Sequence, residues 1–172
     1  EAAIERAGLD PVKPWLDRIA AIRDAAGLRR VIAGLYADGF DTTFGFGVQV
    51  DDKDTTAMIA AFAQGGLGLP ERDYYIRTDE KSEQTRQAYG RHVARTLELG
   101  GEPPAAAAAA AGAILALETK LAAASRTLVE RRDPEKNYHK FARSDLAGLA
   151  PGFDWEDFFA RIRFPSGEKS VL

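Results

Sequence analysis

The two histidines are the first residues to consider as metal ligands, because the chain contains no cysteine. A catalytic zinc site of the H-E-x-x-H kind places two histidines one helical turn apart with a glutamate between them. His92 is followed by Val-Ala-Arg-Thr and His139 by Lys-Phe-Ala-Arg, so neither has such a partner. The sequence therefore predicts no metal site in these residues, and both histidines are interpreted as surface or edge residues.

Other catalytic and binding motifs are also missing. There is no cysteine and no G-x-S-x-G, so a nucleophilic triad cannot be assigned. The glycine pairs Gly45/Gly47 and Gly66/Gly68 lack the third glycine of a dinucleotide fingerprint. The aspartates of residues 51–54 surround a lysine and lack the closing glutamate of a calcium loop. We interpret residues 51–54 as a solvated hairpin turn, and we predict no catalytic residue in the chain.

Composition indicates an ordinary globular sequence of 172 residues, 45% hydrophobic and 28% charged. Acidic and basic residues are interspersed and the net charge is only -3, which does not favour a nucleic-acid partner. The apolar stretch of residues 105–117 is mostly alanine and runs into Glu118 and Lys120, so we predict no membrane span. Glu118 and Lys120 are interpreted as a surface pair on a helix. Both ends of the sequence are expected to be cuts in something longer.

The first part of the chain predicts two helices and a hairpin. Apolar residues recur with helical spacing from Pro11 to Ile22 and again over residues 28–35, ending at Asp38 and Gly39. Residues 44–50 then alternate with a period of two, which is typical of a strand. Residues 55–63 are expected to return as the second strand, although their alanines weakly favour a helix. The predicted strand face that packs on helices comprises Phe44, Phe46, Val48 and Val50.

The second part predicts helices separated by glycine and proline. Residues 65–70 form a loop, after which Pro70 should start a helix with Asp73 in its first turn. Thr78 should cap a helix ending at Leu99, with Ala88, Tyr89, Val93 and Leu97 on its apolar face. A long helix is expected from residues 103–104 to Val129, because alanine has the highest helix propensity. Beyond a break at residues 131–134, Ser144 and Asp154 should cap two short helices, the last of which carries Trp155, Phe158, Phe159 and Ile162. The predicted fold class is mainly α, a helical domain with one small β-hairpin.

Four segments together resemble the N-terminal region of the neprilysin and endothelin-converting-enzyme family of zinc metallopeptidases. Residues 66–75 resemble its G-L-G-L-P-x-R-D-Y-Y signature, and residues 44–54 resemble its strand followed by a D-D-K turn. Residues 132–138 resemble its R-D-P-x-x-x-Y element, and residues 153–159 its F-x-W-x-x-F helix. The signature residues, to which we assign a structural role, are Gly66, Leu67, Gly68, Leu69, Pro70, Arg72, Asp73, Tyr74, Tyr75, Arg132, Asp133 and Pro134.

The resemblance implies that residues 1–172 are a single helical segment of the N-terminal, non-catalytic lobe of a two-lobed peptidase of bacterial type. The full-length parent would be a zinc metalloendopeptidase, whose zinc ligands and acid/base residues lie in the other lobe. The segment alone would bind no zinc and cleave nothing. It would cover the cleft and restrict substrate size, with peptide substrates and the catalytic lobe of the same chain as its partners. A periplasmic or secreted location is expected for such a bacterial protein.

The alternative is a stand-alone helical binding or interaction module that lacks peptidase activity. A parent reading frame that continues into H-E-x-x-H and a downstream Glu-x-x-x-Asp would favour the peptidase. A frame that stops near Leu172 would favour the module.

Overall fold

The computed structural model describes residues 2–165, 167 and 169–172, with side chains from residue 5 onward. Helices dominate the described residues, and the predicted fold class, mainly α with one small hairpin, is confirmed. The helices are α1 (Ala2–Ala7), α2 (Lys13–Ala20), α3 (Ala25–Ala37), α4 (Asp73–Ile76), α5 (Glu80–Leu99), α6 (Pro104–Ala124), α7 (Leu128–Arg131), α8 (Pro134–Asn137), α9 (Leu146–Leu149) and α10 (Trp155–Arg161). The strands are β1 (Phe44–Asp51), β2 (Asp54–Gln64), β3 (Phe141–Ala142) and β4 (Ser170–Val171), and a 3-10 turn covers Arg143–Asp145.

The chain divides into two compact units. The first unit comprises Glu1–Gly65 together with Tyr138–Leu172, and the second comprises Gly66–Asn137. The four strands found among the described residues therefore all lie in the first unit, while the second unit is helical throughout its regular structure. The prediction that residues 1–172 form one segment of a non-catalytic lobe stays a prediction.

A four-stranded sheet with the order β1-β2-β4-β3 lies in the first unit. The predicted hairpin is confirmed: β1 and β2 are antiparallel, with Phe46 opposite Phe62 and Val50 opposite Met58. Sequence alternation did not reveal β3 and β4, because each is only two residues long. β4 runs parallel to β2 and antiparallel to β3.

An aromatic core fills the first unit. Phe158 and Phe159 of α10 are fully buried, and Tyr36 of α3 stacks on Phe44 with 4.8 Å between ring centroids. The Asp154 side chain caps α10, accepting a hydrogen bond from the Asp157 N–H at 3.0 Å as predicted. The Asp154 cap fixes the start of α10, and the spacing of the aromatic residues along α10 then places Phe158 against Phe44 and Phe46 in the first half of β1.

The second half of β1 departs from the predicted face. Phe44 and Phe46 pack against the core, but Val48 and Val50 are 64% and 47% exposed. The prediction that all four residues pack on helices is therefore wrong for the two valines. Alternation puts the four side chains on one face, but the core covers only the part of that face nearest α3 and α10.

Several predicted helix boundaries are also wrong. The long alanine helix ends at Ala124 and not at Val129, because Ser125 is extended and Thr127 starts α7 with a capping box to Glu130. Asp79, not Thr78, caps α5, by accepting a hydrogen bond from the Ser82 N–H. The 3-10 turn contains Ser144, which caps no helix. Asp38 and Gly39 end α3 as predicted, with Gly39 at a φ of +91°.

The second unit is built around α5 and α6. α4 packs against both helices, and the buried face of α6 comprises Ala107, Ala111, Glu118 and Ala122. At 21 residues, α6 reaches the length and hydropathy of a membrane-spanning helix, a minimum that core helices also meet. The apolar stretch of residues 105–117 is therefore shorter than the helix that contains it, and the buried face of that helix includes a carboxylate that is hydrogen-bonded inside the unit.

Candidate functional site

The loop before α4 contains glycines with different structural roles. Gly66 has a φ of +78°, a left-handed conformation that residues with Cβ avoid. A Cβ on Gly68 would lie 2.0 Å from the Tyr89 hydroxyl oxygen, and one on Gly65 would lie 3.0 Å from the Phe44 Cα. Gly66 is therefore required by its backbone angle, whereas Gly65 and Gly68 are restricted by the close approach of neighbouring atoms.

A buried carboxylate lies at the centre of the second unit. Glu118 of α6 accepts a hydrogen bond from the Tyr75 hydroxyl at 2.7 Å and another from the Tyr89 hydroxyl at 2.8 Å. The Tyr75 oxygen in turn accepts the Leu69 N–H at 2.7 Å. One carboxylate therefore joins the signature loop to α4, α5 and α6.

Burial and the Glu118 carboxylate both raise the pKa values of the Tyr75 and Tyr89 hydroxyls. Burial, followed by the hydrogen bond to Glu118, raises the pKa of Tyr89 to about 12. Burial also raises the pKa of Tyr75, with Glu118 adding to the effect and the Leu69 N–H opposing it. Both hydroxyls therefore remain protonated donors at neutral pH.

The other signature residues of the same loop and helix are mostly half-buried. The Arg72 Nε donates to the Ala122 carbonyl at 3.2 Å, and the Arg72 Nη1 lies 4.0 Å from Asp73 Oδ1. Asp73 is in the first turn of α4, but Pro70 precedes this helix by three residues and does not start it, contrary to our expectation. The Tyr74 carbonyl accepts a hydrogen bond from the Arg86 Nη1 at 2.8 Å. Leu67 is half-buried.

The downstream element, Arg132-Asp133-Pro134, links α7 to α8. Arg132 is the C-terminal cap of α7, and Pro134 is the first residue of α8. The Asp133 carboxylate accepts the Lys136 N–H at 3.1 Å, and this bond is the main reason why its pKa is lowered. The three residues therefore form the junction between α7 and α8.

A second buried carboxylate lies in the first unit. Asp51, 1% exposed, accepts hydrogen bonds from Lys140 Nζ at 2.7 Å, the Tyr138 hydroxyl at 2.9 Å and the Lys53 N–H at 3.0 Å. The hydrogen bond from Lys140 and the one from the Lys53 backbone lower the pKa of Asp51 to about 2. The interpretation of residues 51–54 as a wholly solvated turn is therefore wrong for Asp51, although Asp52 and Asp54 are exposed.

These arrangements suit structural support better than chemistry. Every oxygen of the two buried carboxylates accepts at least one hydrogen bond from a neighbouring donor, which stabilises the packing around it. Across the part of the chain that the structure describes, no three His, Asp or Glu side chains converge as metal ligands.

Sequence reasoning missed the central residue of the second unit. Glu118 was interpreted as a surface residue paired with Lys120, but it is buried and bonded to two tyrosines. Its spacing from Ala111 and Ala122 puts it on the buried stripe of α6. Glu118 is also the first charged residue after Glu102, at the end of a long apolar stretch. A charged side chain on the buried face of such a helix needs hydrogen-bond partners inside the fold, so this position was a signal in the sequence.

The burial of Asp51 left no comparable signal in the sequence. Its partners Lys140 and Tyr138 follow more than 80 residues later, so no local spacing pattern connects them to the turn. Only the fold brings these residues together.

Comparison with known proteins agrees with this geometry. The model of the N-terminal region of peptidase family M13 matches residues 1–172. Human endothelin-converting enzyme 1 is 34% identical over 119 residues, which is 69% of this chain and 15% of that enzyme. The chain therefore spans a small part of the curated relatives that it matches.

Solved structures extend the match to the whole chain. Mycobacterium tuberculosis zinc metalloprotease Zmp1, crystallised with an inhibitor, superposes with a TM-score of 0.88 at 33% identity, covering 100% of this chain and 26% of Zmp1. PepO from Lactobacillus rhamnosis superposes with a TM-score of 0.82 at 18% identity, which shows a shared fold. The family match, the signature loop and this superposition agree, and the chain belongs to peptidase family M13 as part of its N-terminal region.

Proposed function

We propose that these 172 residues form part of the non-catalytic lobe of a zinc metalloendopeptidase, which we call the parent. The superposition on a quarter of inhibitor-bound Zmp1 is the observation that carries this proposal. The parent would cleave internal peptide bonds of peptide substrates with zinc held by residues outside this segment. The described residues, which do not converge on a metal, would contribute no catalytic group.

The proposed share of this segment is to cover the cleft and restrict the size of the substrate. A cover of this kind must be rigid enough to keep out folded chains. The hydrogen bonds from Tyr75 and Tyr89 to Glu118, and from Arg72 to Ala122, supply rigidity by joining the loop to α6. We also propose a periplasmic or secreted location for the parent, which cell fractionation would test.

The first experiment tests peptidase activity in the parent. We expect purified parent to cleave a short internally quenched peptide, to lose that activity to a chelator, and to regain it with added zinc. The 172-residue chain at the same concentration should show no cleavage. A parent that stays inactive with stoichiometric zinc would overturn the proposal and favour the stand-alone binding module.

The second experiment tests the cover. Arg72→Ala removes the hydrogen bond to the Ala122 carbonyl, so it should loosen the signature loop and lower the melting temperature. In the parent it should raise the cleavage rate of a long unfolded polypeptide relative to the quenched peptide. Arg95→Ala, which breaks an exposed salt bridge to Glu98 on α5, is the matched control. It should change neither the ratio of the two cleavage rates nor the melting temperature. Loss of all activity at unchanged melting would instead place Arg72 in the active cleft.

A further inference from the structure

The direction of the backbone groups in the hairpin can be read from the β2–β4 contacts. The Leu172 N–H donates to the Ala60 carbonyl at 2.9 Å, and the Phe62 N–H donates to the Leu172 carbonyl at 2.8 Å. Ala60 and Phe62 therefore direct their backbone groups toward β4. Because these groups alternate along a strand, Ile59 and Ala61 direct theirs toward β1.

The same alternation identifies the free groups of β1. The register pairs Ile59 with Gln49 and Ala61 with Gly47, so Val48 and Val50 direct their N–H and carbonyl groups away from β2. The Tyr36 hydroxyl confirms this at the start of the strand, since it bonds both the N–H and the carbonyl of Phe44 on that outer edge. Of the hydrogen bonds between described residues, none engages the outward backbone groups of Val48 or Val50.

This edge lacks the usual protection against strand pairing. Natural edge strands carry charged side chains, prolines or covering elements that prevent another strand from adding. Residues 46–50 read Phe-Gly-Val-Gln-Val, with no charge and no proline. Val48, Val50 and the opposing Met58 are exposed on one face, and a Cβ at Gly47 on the other face would meet open space.

We propose that the outer edge of β1 pairs with an extended strand from the part of the parent that lies outside these 172 residues. The outward N–H and carbonyl groups of Val48 and Val50 require a polypeptide backbone in extended conformation as their partner. Exposed Val48 and Val50 favour apolar side chains on one face of that strand, and Gly47 leaves room for a large side chain on the other.

The length of the relatives supports a partner from the same polypeptide. This chain covers 26% of Zmp1 and 15% of human endothelin-converting enzyme 1, so a parent of similar size supplies ample further chain. The inference rests on the proposed function in one respect, namely that such a parent exists.

Residue-resolved amide exchange tests the proposal. In the 172-residue chain, the Val48 and Val50 amides should exchange fast, while the Gly47 and Gln49 amides, which bond to β2, should exchange slowly. In the parent, the Val48 and Val50 amides should slow by at least tenfold. Fast exchange of both valine amides in the parent would overturn the proposal, as would a parent reading frame that ends near Leu172. Protection in the 172-residue chain that rises with protein concentration would indicate a second copy as the partner, and would also overturn it.

Two substitutions separate backbone pairing from side-chain packing. Val48→Pro removes an outward N–H and leaves the β1–β2 bonds in place, whereas Val48→Ala keeps the N–H and shortens the side chain. In the parent, we expect V48P to restore fast exchange at Val50 and V48A to leave it slow. Equal protection in V48P and V48A would refute strand pairing. Peptidase activity is measured separately, so an inactive parent with protected valine amides would refute the proposed function and leave the strand pairing intact.

Discussion

The Tyr75 hydroxyl lies 2.7 Å from Glu118 Oε2, and both side chains are buried in the second unit. The same hydroxyl oxygen accepts the Leu69 N–H of the signature loop. One tyrosine therefore satisfies a buried carboxylate and a backbone donor at once, which explains how a loop of glycines is held in one conformation.

Replacing Tyr75 with Phe should destabilise the second unit by roughly 1–3 kcal/mol. The change leaves a buried carboxylate oxygen and the Leu69 N–H without this partner. Tyr74→Phe is the matched control, because Tyr74 is half-buried and lies next to it on α4. Hydrogen exchange of α5 and α6 amides would measure the unfolding free energy of this unit. Equal effects of the two substitutions would contradict the role given to Tyr75.

Alkaline pH should weaken the second unit. The pKa of Tyr89 is raised from 10.0 to about 12 in the folded chain, so its contribution to stability is complete below pH 10 and is lost as pH rises through 12. A phenolate there would face the Glu118 carboxylate. Tyr89→Phe should lower the stability at pH 7, and its deficit relative to the wild type should shrink between pH 10 and pH 12. A deficit that stays constant across this range would argue against the Tyr89–Glu118 bond.

Acid should act on the first unit through Asp51. Its pKa is lowered from 3.8 to about 2, so its stabilising contribution is present above pH 3.8 and is lost as pH falls toward 2. Asp51→Asn should destabilise the unit at pH 7 and flatten its acid unfolding curve, which is followed by tryptophan fluorescence, because Trp15 and Trp155 both lie in this unit. Exposed Asp52→Asn supplies the control and should leave the curve unchanged. The reverse order of effects would mean that Lys140 does not hold the Asp51 carboxylate.

Gly68→Ala should be destabilising even though Gly68 does not have a positive φ. The new Cβ would lie 2.0 Å from the Tyr89 oxygen and 2.6 Å from its Cζ, so the ring must move away from Glu118. We expect a cost on the order of 2 kcal/mol, and more for Gly68→Val. Gly112→Ala, on an open face of α6, should instead be neutral or stabilising because alanine favours helix. Thermal unfolding of the two variants checks this order, and an equal melting temperature would refute the close approach.

Local patterns in the sequence predicted the hairpin, the Asp154 cap, the end of α3 at Gly39 and the loop before α4. Each depends on neighbouring residues, such as alternation over residues 44–50 or the left-handed φ of Gly39. The end of α6 was wrong because helix propensity was extended past Ser125, where the capping box of Thr127 and Glu130 starts a new helix.

The remaining misses depend on tertiary contacts. Burial of Asp51 requires Lys140, which comes 89 residues later, and burial of Glu118 requires two tyrosines from other helices. Exposure of Val48 follows from how far the core extends along β1. None of these distances is set by residues close in sequence, so periodicity alone could not supply them.

Glu118 can determine how α6 is aligned with its neighbouring helices, because the other buried residues of α6 are alanines. Buried alanines at positions 107, 111 and 122 are nearly identical in shape, so sliding or rotating α6 by one turn would change their packing very little. A single carboxylate that must reach two tyrosine hydroxyls has no equivalent one turn away. We therefore expect Glu118 to fix the axial position of α6 relative to α4 and α5, which the buried alanines alone would leave undefined.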